Sequence, residues 1–195
     1  MKTLIDISPE RTGTAFRLRE IYPKIKDATV IRGMHLVQYH PIYPMYPEFA
    51  TPYEKLDLLK KHYSGAFVFY VDRKKETWIK SMYNHWVRQG GTLRFTDWHN
   101  NVMDKRVFDT DELIKYARRV FGDNFYLLGF EEFVLHPTVE FNKLLSYFCL
   151  NTIVVCNKKH NSSFNIRQTN LCRILNKVYN RCGRVSSWVD LLRKS

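Results

Sequence analysis

Apolar positions along the chain follow two alternating periods, one suited to strands and one to helices. Lys2–Ile7 (KTLIDI) is a short β-prone run, followed by Ser8-Pro9 and a Thr-Gly-Thr turn at Thr12–Thr14. Thr14 to Tyr22 reads as a short helix closed by Pro23. A second β run covers Thr29 to Ile31 and extends toward Val37. Then Pro41, Pro44, Pro47 and Pro52 alternate with Tyr39, Tyr43, Tyr46 and Tyr53. Neither a helix interior nor a central strand accommodates that density of proline, so the stretch reads as an extended aromatic loop. Glu54 to Tyr63 is amphipathic, with Leu56, Leu59 and His62 or Tyr63 at helical spacing, and Ser64-Gly65 closes it. Ala66–Val71 (AFVFYV) has no polar alternation, the pattern of a central parallel strand covered on both faces. Helices are predicted from Lys75 to Arg88, ending at Gly90-Gly91, and from Asp111 to Phe121, entered through Asp109 or Thr110 as N-cap. A strand over Asn124–Leu128 and a helix over Thr138–Cys149 follow. The β-α-β-α-β-α-β-α order predicts a three-layer α/β fold whose mainly parallel central sheet is flanked by helices.

Size and composition narrow the class. The 195 residues suit one domain, expected over residues 1–165, with 166–195 as a basic helical C-terminal extension packed on it. Hydrophobic residues at 45% and aromatics at 15% exclude a disordered chain. No stretch approaches the roughly 20 apolar residues needed to span a bilayer. The apolar start is broken by Asp6, so no secretory signal and no membrane span are expected, and a cytoplasmic location is the expectation. Charge changes the picture more. Thirty-one Lys and Arg against nineteen Asp and Glu give a formal net charge of +12, which favours anionic partners. Between Phe141 and Val189 the basic residues are Lys143, Lys158, Lys159, Arg167, Arg173, Lys177, Arg181 and Arg184, with no acidic residue among them. The cysteines (Cys149, Cys156, Cys172, Cys182) form no CxxC pair and have no zinc-ligand rhythm, so mostly buried thiols are expected.

In parallel α/β sheets, ligands bind beyond the carboxyl ends of the strands, and two such ends carry suitable residues. The first is Ser8-Pro9-Glu10-Arg11-Thr12-Gly13-Thr14-Ala15-Phe16. Gly13 permits a tight turn, the backbone N–H groups that follow at the helix start can cradle an anion, Arg11 adds a positive charge, and Thr12 and Thr14 add hydroxyls. The Walker A spacing is absent. The second end follows AFVFYV, where Arg73 sits at the strand tip and Ser81 lies eight residues on, two turns into the next helix. Alone, the first reads as an ordinary βα turn and the second as a surface Arg with a helical Ser, although an Arg and a Ser so placed can converge on one phosphate.

The pair resembles the donor-binding motifs of sulfotransferases that use 3′-phosphoadenosine 5′-phosphosulfate (PAPS). RTGTAF after the first strand resembles that family's 5′-phosphosulfate loop, and the Arg-x7-Ser of Arg73 to Ser81 resembles its 3′-phosphate motif. Phe125–Leu150 (FYLLGFEEFVLHPTVEFNKLLSYFCL) resembles the family's strand, E-x-F/L element, x-P pair and helix ending in FLG. Lys158-Lys159-His160-Asn161-Ser162-Ser163 resembles a basic Asn-containing segment of bacterial members. The resemblance spans about Lys2 to Ser163; nothing after Arg167 matches a family feature.

The resemblance implies a P-loop-like fold, PAPS as co-substrate, no metal, and transfer of a sulfuryl group to a hydroxyl or amine of an acceptor, a small molecule or a carbohydrate. It implies that Arg11 neutralises charge at the 5′-phosphosulfate, helped by Thr12 and by the N–H groups of Gly13, Thr14, Ala15 and Phe16. Arg73 and Ser81 then hold the 3′-phosphate, and Lys158 or Lys159 closes over it. A general base is needed, and His suits that near neutral pH. His40, in Tyr39-His40-Pro41, is preferred to His35, in Met34-His35-Leu36. The Tyr39–Tyr53 loop either lines the acceptor pocket or packs on the sheet. Two other classes compete. A P-loop-like nucleotide kinase or phosphotransferase needs a loop Lys, which is absent, and an acidic Mg2+ ligand, for which Asp6 or Asp72 would have to serve. A basic nucleic-acid-binding protein without catalysis fits the charge, yet the sequence has no RNP, zinc-finger or helix-turn-helix signature, so no nucleic-acid partner is expected.

Overall fold

A computed structural model describes residues 1–31, 51–103, 110–155 and 165–180. Its described strands are β1 (Lys2–Asp6), β2 (Ala28–Ile31), β3 (Phe67–Asp72) and β4 (Phe125–Gly129), joined in one parallel sheet of order β2-β1-β3-β4. The register pairs Leu4 with both Val30 and Phe67, and Val68 with Phe125. The α-helices are α1 (Thr14–Phe16), α2 (Pro52–His62), α3 (Lys75–Arg88), α4 (Phe95–Asn101), α5 (Asp111–Phe121), α6 (Phe130–Leu135), α7 (Pro137–Tyr147) and α8 (Ile166–Asn180), and a π-helix (Arg17–Ile21) and two 3-10 turns (Tyr22–Lys24 and Gly122–Asn124) accompany them. The α/β order expected from the sequence is therefore observed.

The sheet is central because both faces of β1 and β3 are apolar. Leu4, Phe69, Val71 and Leu128 pack with Ile21, Tyr22 and Ile25 and with Phe133, Phe141, Leu144 and Leu145 of α6 and α7. Ile5, Ile7, Val68 and Tyr70 point to the opposite face, against Leu56 and Leu59 of α2 and Leu113, Ala117 and Phe121 of α5. Alternation along a strand sends successive side chains to opposite faces, so one unbroken apolar run supplies two cores. Local signals fix the flanking helices. Thr51 and Glu54 form a reciprocal capping box, with Thr51 N–H donating to Glu54 Oε2 at 2.6 Å and Glu54 N–H to Thr51 Oγ1 at 3.2 Å, and Pro52 occupies the first turn of α2.

The chain divides into two compact units, Met1–Lys75 with Lys105–His160 and Glu76–Asp104 with Asn161–Ser195. The first holds the sheet and both cores. In the second, α3 and α8 meet along a polar seam: Thr169 Oγ1 donates to Asn84 Oδ1 at 2.8 Å, and Asn176 Nδ2 donates to the carbonyls of Val87 at 2.7 Å and Gly91 at 2.9 Å. Tyr83, Trp86, Phe95 and Trp98 form an aromatic cluster in the same unit, with Tyr83 stacked on Trp86 and edge-on to Phe95. α4 and α6 were not expected from the sequence, because seven and six residues are too few to display helical periodicity. Cys172 is a buried free thiol, as expected of the cysteines, whereas Cys149 is exposed, at φ 53° in the turn after α7. Among the described residues no helix is long and apolar enough to cross a membrane.

One contact of the second unit makes a stability prediction. A Cβ on Gly91 would lie 2.2 to 2.5 Å from atoms of the Trp86 indole, whereas one on Gly65 would meet nothing within 4 Å. Gly91→Ala is expected to lower stability in urea denaturation by about 1–3 kcal/mol, the usual cost of overpacking, with Gly65→Ala near neutral. Equal midpoints for the two variants would show that the indole yields freely.

Candidate functional site

The first predicted loop leaves β1 at Asp6 and is stitched to β3 before it turns. Ile7 N–H donates to Phe69 O at 3.1 Å, and Val71 N–H donates to Ser8 Oγ at 2.9 Å. The turn has a backbone few sequences tolerate: Arg11 has φ 65° and Gly13 has φ 82°. Left-handed conformation suits glycine but costs an ordinary residue about 1–2 kcal/mol. Such strain at Arg11 points to function, and left-handed residues in a turn are the kind of backbone that forms anion-binding nests. Phe16 and Arg17 N–H both donate to Gly13 O at 3.1 Å, which starts the helix. Its next residues, Arg17–Ile21, wind as a π-helix, a geometry that recurs at functional sites.

Each loop residue has a distinct environment. Thr12 is fully buried, and its hydroxyl donates within the loop to Pro9 O at 2.6 Å. Thr14 Oγ1 accepts from Arg17 Nη2 at 3.4 Å. Ala15 lies on α1, and the Phe16 ring packs edge-on against Phe133 at 5.9 Å. Phe133 and Phe130 close the other side of Gly13, where a Cβ would lie 3.4 and 3.6 Å from their rings.

The second predicted strand end meets the first. Arg73, just past the end of β3, donates from Nη1 to the carbonyl of Arg11, and its guanidinium carbon lies 4.3 Å from the Phe130 ring centroid. Glu131 Oε1 accepts from Lys74 N–H at 3.3 Å in the same corner. Burial lowers the Arg11 guanidinium, with Glu10 opposing it. Burial, offset by Glu131 but reinforced by the like charge of Arg11, pulls Arg73 down to about 10, still cationic at neutral pH. Two partly desolvated cations at one corner favour an anion between them.

The loop Arg11–Phe16 and Arg73 are thus brought together at the carboxyl ends of β1 and β3. Ser81 is buried on α3, in the second unit. His35, His40, Lys158 and Lys159 lie outside the described residues. Sequence reasoning missed Arg17, Tyr22 and Phe130, and considered Asp6 only as the metal ligand of the kinase reading. Arg17 and Asp6 are an ion pair at 2.9 Å, buried beneath the loop. The one signal for it is an aspartate ending an apolar strand; spacing does not choose its partner among Arg11, Arg17 and Arg19. Among the described residues no group of three or more His, Cys, Asp or Glu side chains is placed to hold a metal ion.

No family model matches the chain, and no curated protein does. Its fold is similar to that of a sulfotransferase from Alicyclobacillus acidocaldarius, with a TM-score of 0.62 over 83% of this chain and 87% of that one. Identity is 13%, so the likeness is one of fold: a parallel α/β sheet shared with a bacterial sulfotransferase.

The strained arginine separates stability from binding. Arg11→Gly is expected to leave the thermal midpoint unchanged or to raise it, since it relieves about 1 kcal/mol of backbone strain. The same change should weaken anion binding at least tenfold by titration. A lowered midpoint would show that Arg11 is held for packing instead.

Proposed function

We propose that the chain is a sulfotransferase that moves a sulfuryl group from PAPS to a hydroxyl or amine of an acceptor, a small molecule or carbohydrate. One juxtaposition carries the reading: the Arg73 side chain reaches the carbonyl of Arg11, so the two loops that resemble the donor-binding motifs share one corner. The bacterial sulfotransferase with a similar fold supports it, and no observation favours the kinase or nucleic-acid readings.

In this reading the 5′-phosphosulfate sits on the nest that begins at Arg11, with the backbone N–H groups of Thr14 and Ala15 as donors and the Arg11 guanidinium as counter-charge. Arg73 takes the 3′-phosphate through charge-assisted hydrogen bonds. Ser81, Lys158 and Lys159 join that phosphate on the strength of the sequence motifs alone. Phe130, stacked on Arg73, offers an apolar face beside it. The acceptor oxygen or nitrogen attacks sulfur in line, its proton passes to His40 or, second, His35, and the S–O bond to the donor's phosphate breaks. Adenosine 3′,5′-bisphosphate leaves. As in phosphoryl transfer, catalysis then rests on positioning and charge stabilisation.

Calorimetric titration with adenosine 3′,5′-bisphosphate, with 5′-AMP as control, tests the reading. Arg73→Ala is expected to weaken the bisphosphate by about 2–3 kcal/mol, the scale of a hydrogen bond to a charged group plus lost pairing, and to leave 5′-AMP nearly unchanged. Equal weakening of both ligands, or no binding by the unaltered chain, would reject it. Once an acceptor is known, replacing the true base by Ala should lower turnover by roughly 10²–10⁴ with donor affinity intact. Full activity in both the His40 and His35 variants would move the search to carboxylates such as Glu48 or Asp57.

A further inference from the structure

Arg17 has no solvent exposure, and a guanidinium costs much to bury unless its donors and its charge are all matched. Here the matching is spent on the loop. Nη1 donates to the carbonyl of Thr12, and Nη2 donates to Thr14 Oγ1 at 3.4 Å, the residues on either side of Gly13. Nε and Nη2 donate to Asp6 Oδ2 at 3.1 and 2.9 Å, and Nε also reaches Tyr22 Oη at 3.0 Å. Tyr22 Oη in turn donates to Asp6 Oδ2, and Asp6 Oδ1 accepts from Ser8 N–H at 2.9 Å. The Phe69 ring lies on the sheet side, 5.9 Å from the guanidinium carbon. One planar fork therefore spans both sides of the glycine turn, a geometry that an ammonium cannot reproduce.

Two consequences bear on an anionic ligand. A bare Asp6 carboxylate beneath the nest would repel it; Arg17 cancels that charge, and Arg11 and Arg73 stand at the rim with Glu10 and Glu131 beside them. The Thr14 hydroxyl, accepting from Arg17, has its own proton left to donate elsewhere. We infer that Arg17 is a positioning residue for the donor's 5′-phosphosulfate group, acting through the Thr12 carbonyl and the Thr14 hydroxyl, and itself held by Asp6 and Tyr22. The ligand assignment rests on the sulfotransferase reading; the control of the loop does not.

The full chain, Arg17→Lys and Tyr22→Phe are compared by amide hydrogen exchange and by titration with 5′-AMP and 3′-AMP. Arg17→Lys keeps the charge and loses the fork. It should speed exchange at Thr12–Arg17 and weaken 5′-AMP by at least about tenfold, the scale of lost hydrogen bonds to a charged group, while 3′-AMP affinity and exchange in β3 and α7 stay as they were. Tyr22→Phe, which removes only a hydroxyl, should shift the same two readouts in the same direction by a smaller factor, and it carries the test if the lysine variant does not fold. Thr14→Val added to Arg17→Lys should bring less further loss than it does alone, because the two act in series. Unchanged loop exchange, or equal weakening of 5′-AMP and 3′-AMP, would overturn the inference. If the unaltered chain binds neither nucleotide, the sulfotransferase reading falls, and the exchange comparison alone decides the role of Arg17.

Discussion

The buried pair between Asp6 and Arg17 is the constraint from which the site follows. Burial by itself would push the Asp6 carboxyl up, but the Arg17 guanidinium, with hydrogen bonds from Ser8 and Tyr22, holds it below its usual value. Burial would likewise depress Arg17, and the facing carboxylate and Tyr22 raise it instead. Both groups stay ionised because each is the other's solvation. Removing one member of such a pair strands a charge, at a typical cost of about 3–5 kcal/mol, so the strand end and the helix that begins at Thr14 are locked to each other. The turn between them is then free to adopt an unfavourable backbone, because its two ends cannot drift apart.

That separation of duties explains why the rim of the site can hold a strained backbone and two like charges. Arg11 holds a left-handed φ, and Arg73 is brought close enough for its like charge to be felt. The left-handed φ costs stability, whereas Arg73 recovers part of its desolvation through the Arg11 carbonyl and the Phe130 ring. In the proposed reading both serve the binding of an anion. A protein optimised for stability alone would place glycine at position 11.

How much of this is legible in the sequence depends on the length over which each signal is expressed. β3 and the long helices α3 and α5 can be read because an apolar run or a 3.6-residue period repeats often enough to define itself; α3 and α5 match their expected bounds residue for residue. α4 and α6 lack the length. The loop residues Arg11 to Phe16 and the strand-end Arg73 can be found because parallel sheets put chemistry at carboxyl ends, and because their order resembles a known pair of motifs. The ion pair beneath them is invisible for a different reason: it joins a strand residue to a helix residue eleven positions on, and only the path of the turn decides which arginine arrives there. Phe130 is hidden in the same way, since its place over Arg73 depends on β4 lying beside β3.

The strand order supplies the last step. In β2-β1-β3-β4 the chain leaves β1 toward β2 on one side and returns to place β3 on the other. The connection after β1 packs Ile21 and Tyr22 on one face of the sheet, whereas α2, after β2, packs Leu56 and Leu59 on the opposite face. β1 and β3 are therefore the pair at which the winding reverses, the place where sheets of this kind bind their ligands. The Arg11 loop and Arg73 meet at those ends because they follow those two strands. The order of strands needs only apolar runs of the right length, which many sequences provide, and this is how 13% identity is compatible with a TM-score of 0.62. What the sequence must specify individually is small by comparison: a glycine that turns, an arginine held in a strained turn, a second arginine one strand away, and a buried guanidinium to hold the turn between strand and helix.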